Sequence, residues 1–162
     1  MIKVIENFLN NEQCTAILGL SNNSEIKFQS GYTFTAFFQY FKKINDDYID
    51  INVLKNLETH LPLFKNCNFK YLRLQFTDET IIQSTVFHKH LNPYSFVIYL
   101  NDEFSGGELE FENGEVVFPK KGTLVYFTQN EGHRVKNCIG RRWCLVGFLN
   151  NDMFKPIIKK ML

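Results

Sequence analysis

Three things are scarce in this chain. Cysteine occurs only four times, at Cys14, Cys67, Cys138 and Cys144, with no C-x-x-C pair and no zinc-ribbon spacing. That argues against a thiolate metal cluster and makes reduced thiols in a cytoplasmic compartment the expectation. Long apolar runs are missing too. No stretch approaches the ~18 residues that a membrane helix needs, and no signal peptide precedes Ile2, so a soluble chain is expected. Charge of one sign is the third scarcity: 18 Lys and Arg face 17 Asp and Glu, for a net charge of +1. The basic residues come as short pairs, such as Lys42-Lys43 and Lys120-Lys121, without a stripe. Nucleic acid and membrane surfaces, which need clustered cations, are therefore not expected partners. Linkers, repeats and shifts in composition are also absent, so residues 1–162 read as one domain, with a helical support region over 1–68 and a β core over 69–150.

What the chain does have is phenylalanine, 17 copies of it, within an apolar fraction of 44%. The interior should be aromatic. The opening "MIKVIENFLNNEQCTAIL" reads as a short strand and then a helix capped by Asn10 or Asn11. In "NDDYIDINVLKNLETHL", Ile49, Val53, Leu54, Leu57 and Leu61 fall at helical spacing, which predicts a second helix with His60 as a packing or surface residue. From Phe69 the pattern changes. Eight short aromatic and β-branched runs follow: "FKYLRLQF", "QSTVFHKH", "YSFVIYL", "GELEF", "EVVF", "TLVYF", "HRVKN" and "RWCLVGFL". Turn residues separate them at Asn92-Pro93, Asn101-Asp102, Gly106-Gly107, Asn113-Gly114, Lys121-Gly122 and Gly140. Strands at this density predict a mostly β sandwich or jelly roll with flanking N-terminal helices. The tail from Asn150 is expected to add a short helix broken near Pro156.

Candidate chemistry sits in "STVFHKH". In an extended strand His88 and His90 share a face, and Phe87 and Lys89 take the other. Two imidazoles then project together. His133 sits beyond the turn "TQNEG", and the turn and strand "PKKGTLVYF" before it could carry the chain back across a barrel to the same place. Three inward histidines would form a mononuclear site suited to iron and other transition metals. Arg142 opens the last strand, with Cys144, Val146 and Phe148 on its own face and Arg141 outward. A guanidinium turned into an apolar barrel is costly unless it meets an anion, and its planar fork matches a carboxylate. Tyr99 lies on the face opposite Phe96 and Ile98, where its hydroxyl can reach the same anion.

Taken together, "HKH…PYSFVIYLNDEFSGGELEF…VVFPKKGTLVYF…GHRVKNCIGRRWCLVGFL" resembles the catalytic half of the prolyl-4-hydroxylase-like 2-oxoglutarate/Fe(II) dioxygenases. The opening segment resembles that family's usual start, and the likeness is weakest between about Asn22 and Asn68. The resemblance implies a double-stranded β-helix, with Fe(II) as cofactor, 2-oxoglutarate as co-substrate and ascorbate as an accessory reductant. It makes His88 the first iron ligand and His133 the distal one. It makes Arg142 and Tyr99 the partners of the far carboxylate of 2-oxoglutarate. The substrate it implies is a prolyl, peptidyl or small-molecule C–H bond.

Two departures from that family stand out. Its pattern is His-x-Asp…His, and here His90 stands where the aspartate is expected. Three readings are open: His90 is a third imidazole ligand; His90 swings away and leaves an open position; or the protein is a non-catalytic binding module. The family also often places a tyrosine on the strand before the metal motif, where "RLQF" offers Phe76. A cupin-like enzyme using His88, His90 and His133 without 2-oxoglutarate is a further alternative. It leaves Arg142 and the double glycine unexplained, and "LNPYSF" lacks the glutamate of the first cupin motif.

Overall fold

In the computed structural model, residues 1–19, 28–30, 37–39, 42–44, 47–49, 69–79 and 86–152 are described. Among them, strands dominate: β1 (Ile2–Ile5), β2 (Phe28–Ser30), β3 (Phe37–Gln39), β4 (Lys42–Ile44), β5 (Asp47–Ile49), β6 (Phe69–Thr77), β7 (Tyr94–Tyr99), β8 (Ser105–Gly106), β9 (Leu109–Phe111), β10 (Val116–Val117), β11 (Leu124–Thr128), β12 (His133–Val135), β13 (Cys138–Ile139) and β14 (Arg142–Leu149). The single described helix, α1 (Asn11–Gly19), follows β1. It starts at a reciprocal cap. The Gln13 amide donates to Asn10 Oδ1 at 2.8 Å, and the Asn10 amide donates to Gln13 Oε1 at 2.9 Å, which satisfies two otherwise orphaned donors. No described helix is long and apolar enough to cross a membrane.

The strands build a double-stranded β-helix, a jelly roll. Its larger sheet runs β1-β11-β7-β14-β6-β3-β2, with β5 joining β6 in parallel and β4 pairing with β5. Facing it are a small sheet, β10-β9-β12, and the pair β13-β8. Strand alternation explains how one sheet serves two cores. On β7, Phe96 and Ile98, with Leu100 just after it, go to one side and Val97 and Tyr99 to the other. On β11, Leu124 and Tyr126 go one way and Val125 and Phe127 the other. The first set packs under α1 with Leu9, Cys14 and Ile17. The second meets Leu109, Phe111 and Val117 of the small sheet and fills the space between the sheets. That second interior holds every candidate site residue.

Two expectations for the N-terminal region are corrected. Asp47–Ile49, the front of the expected second helix, is strand β5, hydrogen-bonded to β4 and β6. The exposed edge of β6 offers unpaired backbone groups, and pairing with it outweighs the local helical spacing of Ile49. The region 1–68 therefore contributes strands β1 to β5 as well as α1. The rest of that predicted helix, with His60, and the tail helix lie outside the described residues. The double glycine is also more than a turn. Gly106 (φ 75°) pairs with Cys138 in the β8-β13 ladder, and Gly107 (φ 72°) donates its amide to the Asn137 carbonyl at 3.0 Å.

Candidate metal centre and anion pocket

Only two backbone hydrogen bonds are needed to bring the first and last histidines together. Segment 86–90 is not a full strand in the described residues; it meets β12 in one bridge, His88 opposite His133. The His88 amide donates to the His133 carbonyl at 3.0 Å, and the His133 amide returns the bond at 2.9 Å. Directly opposed residues of an antiparallel pair share a face, so both imidazoles point into the interior. His90, two residues on, joins them. The ring centroids are 4.5 Å apart for His88 and His133, 4.9 Å for His90 and His133, and 5.0 Å for His88 and His90. One ligand nitrogen from each ring lies within 4.8 Å of the others. Phe148 packs on His90, and Phe127 on His133, each with centroids 4.5 Å apart.

His133 is prepared as a ligand. Its Nδ1 lies 3.0 Å from the Glu131 carbonyl. A carbonyl only accepts, so Nδ1 carries the proton and Nε2 keeps its lone pair. Burial pushes its pKa down, the Glu131 carbonyl opposes this, and His88 lowers it further, to about 4. The ring is thus neutral at physiological pH, the form that binds metal. A stability effect follows, with a definite sign. The unfolded chain takes up this proton near pH 6.5 and the folded chain only near 4, so the metal-free protein loses stability as pH falls through that window. The loss attributable to His133 is roughly 3 kcal/mol, taking 1.36 kcal/mol per unit. Urea titrations of metal-free protein from pH 7 to pH 4 check it, and His133→Gln should flatten the curve.

Among the described residues no carboxylate joins the histidine group. The neighbouring acids are engaged elsewhere. Glu110 accepts from Arg134 Nε at 2.7 Å, and that bond holds its carboxyl below the usual range. Glu112 pairs with Lys89 at 3.3 Å. Glu131 pairs with the Met1 ammonium group. These pairs lie on the outer face of the strands, where Arg134 also stacks over Phe87 at 4.4 Å, and so brace the histidine segment from behind.

The other end of the same interior is cationic. Arg142, opposite Thr77 of β6, is only 2% exposed. Among the described residues no acid pairs with it, and its Nε has no hydrogen-bond partner. Burial opposes its charge, but Cys144 and Tyr99 raise its pKa and the net shift is upward. The guanidinium carbon lies 5.1 Å from the Tyr99 ring centroid. Tyr99 is fully buried, and burial pushes its hydroxyl up to about 12 even though Arg142 pulls it down. Among the described residues the buried Thr123 Oγ1 likewise has no partner, and the Tyr99 hydroxyl has none other than the Arg142 guanidinium beside it. Thr123 faces the same way as Tyr99, since its carbonyl accepts the Tyr99 amide at 3.0 Å. A buried cation with unsatisfied donors beside it calls for an anion. Gly107 closes the pocket: a Cβ there would stand 2.8 Å from Arg142 Cδ.

Alternation separates the arginines as expected. Arg141 is exposed, reaching Asp78 at 3.4 Å and stacking over Phe76 at 4.4 Å. Trp143 packs on the α1 side. Asn101 brackets Arg142 between them: its Nδ2 donates to the Arg141 carbonyl at 2.8 Å, and its Oδ1 accepts from the Trp143 amide at 2.8 Å. Phe76 does not belong to the pocket. It opposes Trp143 and packs on it with centroids 4.9 Å apart, so it lies on the α1 side. Its neighbour Gln75, opposite Cys144, is the residue of that strand on the interior face, and Gln75 Oε1 is buried without a partner. Gln75, Ser95, Asn101 and Thr123 are thus site-lining or site-bracing residues that motif reading missed. The parity of Ser95 with Tyr99 and of Gln75 with Thr77 was the available signal.

Comparison with known proteins agrees with this geometry. Residues 76–150 match the model of the 2OG-Fe(II) oxygenase superfamily. No curated protein matches the chain. Among solved structures, an oxidoreductase of the 2OG-Fe(II) oxygenase family from Burkholderia pseudomallei superposes with a TM-score of 0.65 at 14% identity, covering 91% of this chain and 84% of that one. A prolyl-4-hydroxylase from Pseudomonas putida gives 0.60 at 17% identity, covering 93% and 92%. The viral collagen prolyl hydroxylase of Paramecium Bursaria Chlorella virus-1, solved with 2OG, gives 0.54 at 16% identity, covering 91% and 94%. The segment holding all three clustered histidines and Arg142 thus matches the 2OG-Fe(II) oxygenase superfamily model, and the chain shares the fold of these solved structures.

Proposed function

We propose that this protein is a 2-oxoglutarate- and Fe(II)-dependent oxygenase that hydroxylates a C–H bond of a prolyl, peptidyl or small-molecule substrate. The observation that carries the reading is that two unfinished half-sites share one interior. At one end three imidazoles converge with ligand atoms within 4.8 Å. At the other, among the described residues, Arg142 Nε and Thr123 Oγ1 are buried without a partner, and no acid meets the guanidinium or the Tyr99 hydroxyl beside it. A metal ion with a 2-oxo dicarboxylate completes both, since the 2-oxo acid end is a chelating group and the distal carboxylate matches a guanidinium fork.

When bound, iron(II) supplies oxygen activation: 2-oxoglutarate and O₂ yield succinate and CO₂, and the remaining oxygen atom becomes the hydroxyl of the substrate. The chain's part is to hold and shield. His88, His90 and His133 hold the ion, and the Glu131 carbonyl fixes the His133 ring. Arg142 and Tyr99 orient the distal acid. Phe111, Phe127 and Phe148 keep water from the histidine end. Ascorbate is the accessory reductant we assign to maintaining the ferrous ion. That prolyl hydroxylases share the fold supports a prolyl or peptidyl substrate.

The test is succinate formation from 2-oxoglutarate by protein reconstituted with Fe(II). The expected result is iron-dependent turnover that a chelator stops. The absence of both turnover and 2-oxoglutarate affinity would overturn the reading. That no carboxylate joins the histidine group among the described residues favours one second reading, a binding module without chemistry. The same assay identifies it as metal-dependent 2-oxoglutarate binding with no succinate.

A further inference from the structure

Ser95 lines the interior without an assigned role, yet its environment is that of a ligand-binding residue. It is the second residue of β7, opposite Phe127 on β11 and Phe148 on β14. Opposed residues share a face, and these two rings are the ones packed on His133 and His90. Ser95 therefore stands at the histidine end of the interior, on the face that carries Tyr99 at the other end. It is 2% exposed, and among the described residues its hydroxyl has no hydrogen-bond partner. Buried hydroxyls are ordinarily paired; Tyr126 on the opposite face, for instance, donates to Asp152 at 3.0 Å. The cationic side chains of this region cannot substitute for it, because Lys89 and Arg134 face outward to Glu112 and Glu110. An anionic oxygen arriving beside three imidazoles would find in Ser95 a ready hydroxyl donor.

We infer that Ser95 is a binding residue whose hydroxyl donates a hydrogen bond to a carboxylate oxygen of a 2-oxo acid bound at the histidine group. The inference rests on the proposed co-substrate and adds a contact at the metal end of it, opposite the Arg142 end.

Calorimetric titration of Ni(II)-loaded protein, which does not turn over, separates the two ends with two probes. 2-Oxoglutarate reaches both; oxalate is too short to reach Arg142. Ser95→Ala should weaken both probes by about tenfold, the size of a lost hydrogen bond to a charged group, and Arg142→Ala should weaken only 2-oxoglutarate. Ser95→Thr should hold oxalate affinity within about threefold of wild type, and Ser95→Val, equal in shape without the hydroxyl, should lose it as alanine does. Nickel affinity should be unchanged throughout the Ser95 series. Oxalate affinity equal in the threonine and valine variants overturns the inference while leaving the proposed co-substrate standing. Wild-type protein that binds nickel but neither acid overturns both.

Discussion

Arg142→Ala is expected to reduce 2-oxoglutarate affinity by on the order of 100-fold or more, while the affinity for the metal ion stays as in wild type. The size follows from the environment. Arg142 is 2% exposed and no described acid pairs with it, so the incoming carboxylate is its charge partner. Removing one member of such a buried pair costs about 3–5 kcal/mol, which corresponds to some 200-fold or more in affinity. The same argument gives an opposite sign for stability. In the ligand-free protein no described acid meets the buried guanidinium, and burial pushes Cys144 up to about 11 and Tyr99 up to about 12, so neither compensates it at pH 7. Arg142→Met, which keeps the stem and discards the charge, should at that pH unfold at a temperature equal to or above wild type. Isothermal titration and thermal melting of the two variants check the pair of signs. A loss of both affinity and stability would mean that Arg142 serves the fold and not a ligand.

The second large effect concerns His90. Its ring is 5.0 Å from that of His88 and 4.9 Å from that of His133, close enough for all three to hold one ion. His90→Ala should therefore weaken Fe(II) binding by about two orders of magnitude or more, beyond the roughly 10–100-fold typical of losing a mere supporting contact to a ligand. His90→Asp should keep the ion, and succinate formation should rise at least about tenfold, because an anionic ligand stabilises the higher oxidation states that oxygen activation requires. Metal titration and succinate assays on both variants give the answer. If His90→Ala binds iron as wild type does, His90 is not a ligand and the open-position reading takes its place.

The strand half of the molecule was legible because its chemistry is local. Alternation along "YSFVIYL" and "RWCLVGFL" correctly put Tyr99, Arg142 and Cys144 on one face and Trp143 on the other, and turn glycines marked the ladder ends. His88 and His133 could be brought together only by long-range pairing, and the resemblance to a known family supplied that, not the spacing. The bridge that joins them is a single residue pair, too short to leave a strand pattern. Two failures have physical causes. Helical spacing in 47–61 was outweighed at Asp47–Ile49 by an open strand edge on β6. Motif position matches Phe76 to the family's pocket tyrosine, but its pairing opposite Trp143 puts it on the α1 side, and Gln75 takes the inward position. Unpartnered hydroxyls such as Ser95 leave no mark in sequence, since what distinguishes them is the absence of a neighbour.

The most direct measurement is a crystal structure of the protein grown without oxygen in the presence of Fe(II) and 2-oxoglutarate. The account predicts one ion, located by iron anomalous scattering, bonded to nitrogens of His88, His90 and His133, with the acid running from it to the Arg142 guanidinium. An ion held elsewhere, or an Arg142 side chain that leaves the acid unmet, would contradict it.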